Sequence, residues 1–206
     1  MQLNILICGV GGQGNVLLEK VLGLSAIHEG QKVRAADTFG ASQRGGSVLS
    51  HIRLGSGVSS SLVPRGDCDI LLGLEPVETL RAAVPFLSED GLLIFNTAPV
   101  PPAKVKAGEV GYPATANIIE LLGQLTPNLV DLDATALAKA TTGSERAMNM
   151  AMAGVLLGLG VLPLSPGTVK DVISKITGAF AAKNVKAFEA GYEAGLRRRG
   201  DIQGAR

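Results

Sequence analysis

Short apolar runs alternate with segments of helical periodicity along most of the chain. Residues 3–8 form an apolar run that stops at a glycine, as expected for a strand covered on both faces of a parallel sheet. Residues 47–54 instead alternate between two faces, which is typical of a strand with one buried side. Such signals predict strands at residues 3–8, 32–36, 47–54, 69–74, 92–96 and 129–132.

Helical periodicity occupies the intervals between these runs. Apolar residues recur at helical spacing over residues 15–28, and Gly30 lies where such a helix would stop. Pro76 favours the first turn of a second helix, and a third is predicted at 116–125. The uncharged stretch 147–169 predicts a buried helix that ends near Leu162, and two amphipathic helical faces follow in the last quarter of the chain.

Strands that alternate with crossover helices predict an α/β fold. We expect a three-layer, Rossmann-like domain with a mostly parallel sheet and a helical C-terminal quarter. The chain has 206 residues and no segment with the composition of a linker, so residues 1–206 are expected to form a single domain. Ligands or partners are expected at the carboxyl ends of the strands, where open α/β sheets bind them.

Composition excludes several functional classes. A chain with 46% hydrophobic and 18% charged residues has enough apolar surface to fold and is not intrinsically disordered. A net charge of +1, with five Phe, two Tyr and no Trp, argues against nucleic acid or an acidic membrane as the partner. Glycines and prolines interrupt the uncharged stretch, so no membrane span is expected, and the N-terminal residues lack the basic region of a signal peptide. We therefore expect a cytoplasmic protein.

A glycine loop follows the first predicted strand and opens the first predicted helix. Gly9, Gly11 and Gly14 match the spacing G-x-G-x-x-G, in which a helix N-terminus can receive phosphate. Asp37 follows near the position of the acid that holds the ribose of a bound NAD. A stand-alone NAD-binding protein is therefore one alternative. Glycines that only permit a tight turn and close helix packing are the other.

A polar, glycine-rich cluster precedes the third predicted strand. It combines the hydroxyl of Ser42, the amide of Gln43 and the guanidinium of Arg44 with two glycines, Gly45 and Gly46. Such a loop suits contact with a phosphate, a carboxylate or the backbone of a partner. A strand-entry turn with an exposed arginine is the structural alternative, but polar side chains on flexible backbone at a sheet edge favour recognition.

Other residues that could carry chemistry are few. Asn96 and Thr97 end a predicted strand on the side where α/β folds bind ligands, which makes them candidates. Glu75 lies at a predicted helix start, where a capping role is favoured over catalysis. The two cysteines, Cys8 and Cys68, cannot supply the four thiolates of an iron–sulfur cluster. Since no metal-ligand spacing, Walker loop or nucleophile elbow occurs either, we expect no catalytic residue and no metal site in this chain.

The segments 9–14, 37–48 and 50–55 together resemble the gamma-type domain of the 2-oxoacid:ferredoxin oxidoreductase family. The resemblance continues through 69–76, 96–97 and 184–192, and thus spans nearly the whole chain. It implies a subunit of an enzyme that oxidatively decarboxylates a 2-oxoacid with coenzyme A to an acyl-CoA. Indolepyruvate or another arylpyruvate is the expected substrate, and ferredoxin the expected electron acceptor.

The resemblance also implies a partner. Thiamine diphosphate with Mg²⁺ and the [4Fe-4S] clusters would reside on a larger alpha subunit, because this chain has too few cysteines and lacks the Gly-Asp-Gly opening of a thiamine diphosphate motif. This chain would then bind no cofactor alone and be inactive alone, with coenzyme A as a candidate ligand. The residues expected to contact that ligand or the partner are Gly9, Gly11, Gly12, Gln13, Gly14, Ser42, Gln43, Arg44, Gly45, Gly46, Asn96 and Thr97.

Overall fold

The structure, a computed structural model, describes residues 2–40, 46–101, 105, 107–109 and 111–202. These residues form six strands: β1 (Leu3–Val10), β2 (Val33–Phe39), β3 (Ser47–Leu54), β4 (Cys68–Gly73), β5 (Leu87–Asn96) and β6 (Leu129–Leu132). They also form seven α-helices: α1 (Asn15–His28), α2 (Pro76–Phe86), α3 (Thr115–Gly123), α4 (Ala134–Thr142), α5 (Met148–Gly158), α6 (Pro166–Thr177) and α7 (Ala181–Arg197). Short 3-10 turns occur at Glu145–Ala147, Gly178–Phe180 and Arg199–Asp201.

The strands belong to one sheet, in the order β2-β3-β1-β4-β5-β6. β1, β4, β5 and β6 pair in parallel, whereas β3 runs antiparallel to both of its neighbours, β1 and β2. Every described strand except β3 therefore runs in one direction, and the predicted mostly parallel sheet is confirmed. The antiparallel β3 separates β2 from β1, which the sequence pattern did not indicate.

Helices cover both faces of the sheet because alternate residues of each strand point to opposite sides. On β1, Ile5 and Ile7 pack with the helices α1, α4, α5, α6 and α7. Leu6 and Cys8 pack on the other face with α2 and α3. The buried side chains accordingly form two apolar clusters, one on each side of the sheet, and the predicted three-layer arrangement is confirmed.

Helix α5 is buried along its whole length and packs closely against α7. A Cβ added at Gly154 would lie 2.0 Å from the carbonyl oxygen of Phe188, and one at Gly191 would lie 1.9 Å from that of Ala151. The two backbones are thus in contact, which only glycine permits. The predicted buried helix is confirmed, although it ends earlier, at Gly158. In the described part of the chain, no helix combines the length and the hydropathy needed to cross a membrane.

At two strands, a bound differs from the prediction by three residues or more. β2 continues through Phe39, three residues beyond its predicted end, because its ladder with β3 continues and pairs Asp37 with Ser50. This pairing keeps a polar residue in a strand against its local preference. β5 begins earlier than predicted, at Leu87, which pairs with Cys68 of β4. Both differences come from strand partners that a local pattern does not show.

Candidate functional site

A tight loop joins β1 to α1 at the carboxyl edge of the sheet. Gly12 and Gly14 have φ angles of 100° and 84°, a left-handed conformation that glycine adopts without strain. Gly14 is the N-cap of α1 and offers no side-chain oxygen. Within the described residues, the amides of Gly12 and Gly14 donate no hydrogen bond. The loop therefore presents, at the positive end of the helix, backbone N–H groups that are not bonded to any described residue.

The side chain of Gln13 fastens this loop to the neighbouring strand. Its Oε1 accepts a hydrogen bond from the amide of Val10 at 2.8 Å, and its Nε2 donates to the carbonyl of Leu74, directly after β4, at 2.8 Å. A Cβ at Gly9 would lie 2.7 Å from Gln13 Oε1, so glycine at position 9 leaves room for this bridge. Gln13 thus occupies the crevice between the ends of β1 and β4. At this crevice the strand order reverses, because β2 and β3 lie on one side of it and β5 and β6 on the other. Open α/β sheets bind ligands at such a point.

Asn96 and Thr97 lie at the end of β5, beside the same crevice. Asn96 is fully buried, and its Nδ2 donates to the carbonyl of Leu74 and to the hydroxyl of Thr135, each at 3.1 Å. Its Oδ1 accepts from the amide of Thr135 at 3.3 Å, and the amide of Thr97 donates to the carbonyl of Leu132 at 2.9 Å. The side-chain amide of Asn96 thus links the end of β5 to Leu74 and to helix α4. Because its nitrogen and its oxygen are both bonded to protein groups, the geometry does not favour it as a ligand contact.

The connection between β2 and β3 ends beside the glycine loop. The amide of Gly40 donates to the carbonyl of Ser47 at 2.8 Å, and the amide of Gly11 donates to the carbonyl of Gly46 at 3.0 Å. The structure therefore brings two of the predicted site residues, Gly11 and Gly46, together at one edge. The remaining residues predicted in this cluster lie outside the described residues; they are Ser42, Gln43, Arg44 and Gly45.

Asp37 does not reach the glycine loop, which corrects the NAD-binding alternative. In the doubly wound order 3-2-1-4-5-6, the second strand lies beside the first, but here β3 separates them by two strand spacings, about 9.5 Å. Asp37 pairs with Ser50, which pairs in turn with Ile7. Asp37 is therefore level with Ile7, which precedes the last residue of β1 by three positions, or about 10 Å along the strand. Its carboxylate also accepts a hydrogen bond from the hydroxyl of Ser50. This geometry does not support a ribose contact by Asp37.

A side chain distant in sequence supports the start of α1. Asn149, in the first turn of α5, is buried, and its Nδ2 donates to the carbonyl of Gly14 at 3.2 Å. A Cβ at Gly14 would lie 2.3 Å from that nitrogen, so the contact needs glycine at this position. Sequence reasoning missed Asn149, because 135 positions separate the two residues and no local pattern marks the contact.

Glu75, immediately after Leu74, is the buried N-cap of α2. Its carboxylate accepts from the amides of Glu78 at 2.9 Å and Val100 at 3.3 Å, and from the hydroxyl of Tyr112. Burial, followed by the hydrogen bond to Glu75, raises the pKa of the Tyr112 hydroxyl. The predicted capping role is confirmed, and the same carboxylate holds the segment after β5 against α2.

The chain is similar to known oxidoreductase subunits over almost its whole length. Residues 4–194 match the family model described as pyruvate ferredoxin/flavodoxin oxidoreductase. The chain is 37% identical to indolepyruvate oxidoreductase subunit IorB of Archaeoglobus fulgidus, over 93% of this chain and 94% of that protein. It is 36% identical to the subunit of the same name from Pyrococcus horikoshii, over 94% and 96%. Its fold matches the gamma subunit of keto/oxoacid ferredoxin oxidoreductase from Geobacter sulfurreducens, with a TM-score of 0.68 and 24% identity over 95% of this chain and 99% of that one.

Proposed function

The chain belongs to the pyruvate ferredoxin/flavodoxin oxidoreductase family, and from this we propose that it is the small subunit of a 2-oxoacid:ferredoxin oxidoreductase. The predicted family is thereby confirmed. In the proposed complex, a 2-oxoacid is oxidatively decarboxylated with coenzyme A to an acyl-CoA, and the electrons pass to ferredoxin. The observation that carries the proposal is 35–37% identity to subunits named for indolepyruvate. Arylpyruvates such as indolepyruvate are accordingly the proposed substrates, and the cytoplasm is the proposed location.

The electron-carrying centres of this complex are assigned to a partner chain. A [4Fe-4S] cluster takes four thiolates, and this chain has two cysteines. Cys8 on β1 and Cys68 on β4 are buried, and burial raises the pKa of each thiol, so both stay protonated at neutral pH. Among the described residues, no group of His, Cys, Asp and Glu side chains could hold a metal ion. In the proposed complex, a larger alpha subunit carries the clusters and the thiamine diphosphate with its Mg²⁺, and passes electrons to ferredoxin.

The role proposed for this chain is to close the active site of the complex and to position coenzyme A. Among the described residues, the tip of the glycine loop is open, because a Cβ at Gly12 would meet none of their atoms within 4 Å. Free backbone N–H groups at a helix N-terminus suit the diphosphate of coenzyme A. The described residues that flank Arg44 in the sequence, Gly40 and Gly46, lie at the carboxyl edge of the sheet. The guanidinium of Arg44 is the second phosphate-binding group in this proposal.

Reconstitution tests the subunit assignment. The purified chain and the larger subunit from the same organism are assayed separately and together for ferredoxin reduction that depends on indolepyruvate and coenzyme A. We expect turnover only when both chains are present, and no tight binding of NADH to the isolated chain. Turnover by this chain alone, or full turnover by the larger subunit alone, would contradict the proposal.

The coenzyme A role has its own test within the reconstituted complex. Arg44→Ala is expected to raise the KM for coenzyme A, while the two subunits still assemble. Arg65→Ala is the matched control, since Arg65 is exposed and forms no ion pair with the described residues. An unchanged KM in Arg44→Ala would leave this chain with a purely structural role in the complex.

A further inference from the structure

A groove of about 520 Å³ opens beside the first turn of α1. Its walls come from the start of α5, the end of α6 and the start of α7. It adjoins the glycine loop, because the groove residue Asn149 is the one that donates to the carbonyl of Gly14. The proposed reaction assigns no role to this groove. The groove lies next to the glycine loop, which is part of the surface expected to contact coenzyme A or the partner subunit.

Apolar side chains that remain open to solvent line part of the groove. Phe180, between α6 and α7, is 66% exposed, and Ile176, near the end of α6, is 37% exposed. Leu17, in the first turn of α1, lines the same groove. A single exposed apolar side chain is ordinary on a protein surface. Several around one concave site indicate a surface that another molecule covers.

The charges of the groove all have one sign. Arg146 and Lys183 line it, both are exposed, and no ion pair joins either to a carboxylate of the described residues. No Asp or Glu is among the lining residues, and the nearby Glu145 is already paired with Lys139 at 2.8 Å. Lys183 also lies in the first turn of α7, where the helix dipole adds positive potential. The groove therefore complements a negatively charged, partly apolar molecule.

We propose that an acidic, apolar segment of the partner subunit docks in this groove, with carboxylates facing Arg146 and Lys183 and an apolar side chain on Phe180. This inference rests on the proposed function, since it names the surface through which the partner is held. A small-molecule site encloses most of its ligand. Phe180 is instead two-thirds exposed to solvent, as expected of an anchor residue that a partner chain covers in the complex. The groove is also continuous with the glycine-loop edge through Asn149, so one partner can cover both.

Binding of the full chain to the larger subunit, measured by titration calorimetry, tests the proposal. The double substitution Arg146→Glu/Lys183→Glu is expected to raise the Kd at least about tenfold, and Phe180→Ala to raise it by a similar factor, as for anchor residues of interfaces. The matched controls are Lys20→Glu/Arg65→Glu, which reverses as many exposed charges outside the groove, and Val84→Ala on α2, where Val84 is 68% exposed. Both controls should leave the Kd within about twofold.

The outcomes separate this inference from the proposed function. Two results together support the docking site. Both groove variants bind more weakly while their melting temperatures are unchanged, and the Kd of the double variant rises less steeply with salt than that of the wild type. Wild-type binding with unchanged affinity in both groove variants overturns the docking site alone. Unchanged affinity with a raised KM for coenzyme A also overturns it, since the groove would then bind a small anion. No binding by the wild-type chain overturns the proposed function itself.

Discussion

Replacing Gly191 with alanine will destabilise the protein, although alanine is the better helix former. Gly191 lies in α7 against the backbone of α5, and an added Cβ would lie 1.9 Å from the carbonyl oxygen of Ala151. Ordinary contact needs about 3.4 Å, so the two helices must separate by about 1.5 Å. Since the obstructing atoms belong to a helix backbone, they cannot rotate away as a side chain would.

The magnitude follows from two opposing effects. Overpacking a close contact costs about 1–3 kcal/mol, and the upper value applies where backbone must move. Alanine recovers about 1 kcal/mol of helix propensity relative to glycine. The net loss is about 2 kcal/mol, which lowers the melting temperature of a chain of this length by about 4–8 °C.

Gly23→Ala is the matched control, because Gly23 also lies within a helix, α1, but with room for a methyl group. The nearest atoms to its added Cβ are Glu19 Oε1 at 3.7 Å and Val33 Cγ1 at 3.8 Å. This variant should gain about 0.5–1 kcal/mol of stability. Both variants are compared with the wild type by thermal unfolding followed by circular dichroism. A melting temperature of Gly191→Ala equal to or above that of the wild type would refute the backbone contact between α5 and α7.

Three further predictions concern the candidate site and the buried titratable groups. Gln13→Ala should lower the free energy of unfolding by about 1–2 kcal/mol, because the amide of Val10 loses its acceptor and the carbonyl of Leu74 keeps only the hydrogen bond from Asn96. Urea titration should show no such loss in the exposed Gln124→Ala, and equal losses in the two variants would exclude the bridge. Burial lowers the pKa of His51 below its ordinary 6.5, so the unfolded chain binds the proton more readily than the folded one. The free energy of unfolding should therefore fall as the pH drops below 6.5. If the urea midpoints of a His51→Gln variant depend on pH as steeply as those of the wild type, His51 is not the cause. Cys8 and Cys68 should not react with Ellman's reagent until the protein unfolds, because both thiols are buried and burial raises their pKa values. Rapid reaction of either thiol in the native protein would contradict the packing described around that thiol.

The candidate site was only partly predictable from the sequence. The glycine spacing after an apolar run correctly predicted a loop between a strand and a helix, but not that Gln13 would fill the crevice behind it by bonding to Leu74, 61 residues away. Asn96 was correctly placed at the end of a strand, yet its burial and its bonds to Thr135 depend on the helix that follows β6. Apart from the hydrogen bond between Gln13 and Val10, these contacts are with residues distant in the chain, which no spacing rule contains.

The succession of strands and helices, the two-sided burial of the sheet and, through its motifs, the family all follow from the amino-acid sequence. Hydrophobic periodicity and glycine position act between residues a few places apart, so they can be read along the chain. Two features became visible only in the folded chain. β3 is inserted between β1 and β2, which removes Asp37 from the glycine loop, and Asn149 bonds to Gly14 at the edge of a cationic groove. Strand order and helix packing are set by contacts between distant segments, and their free energy depends on how all the faces of the molecule are buried together.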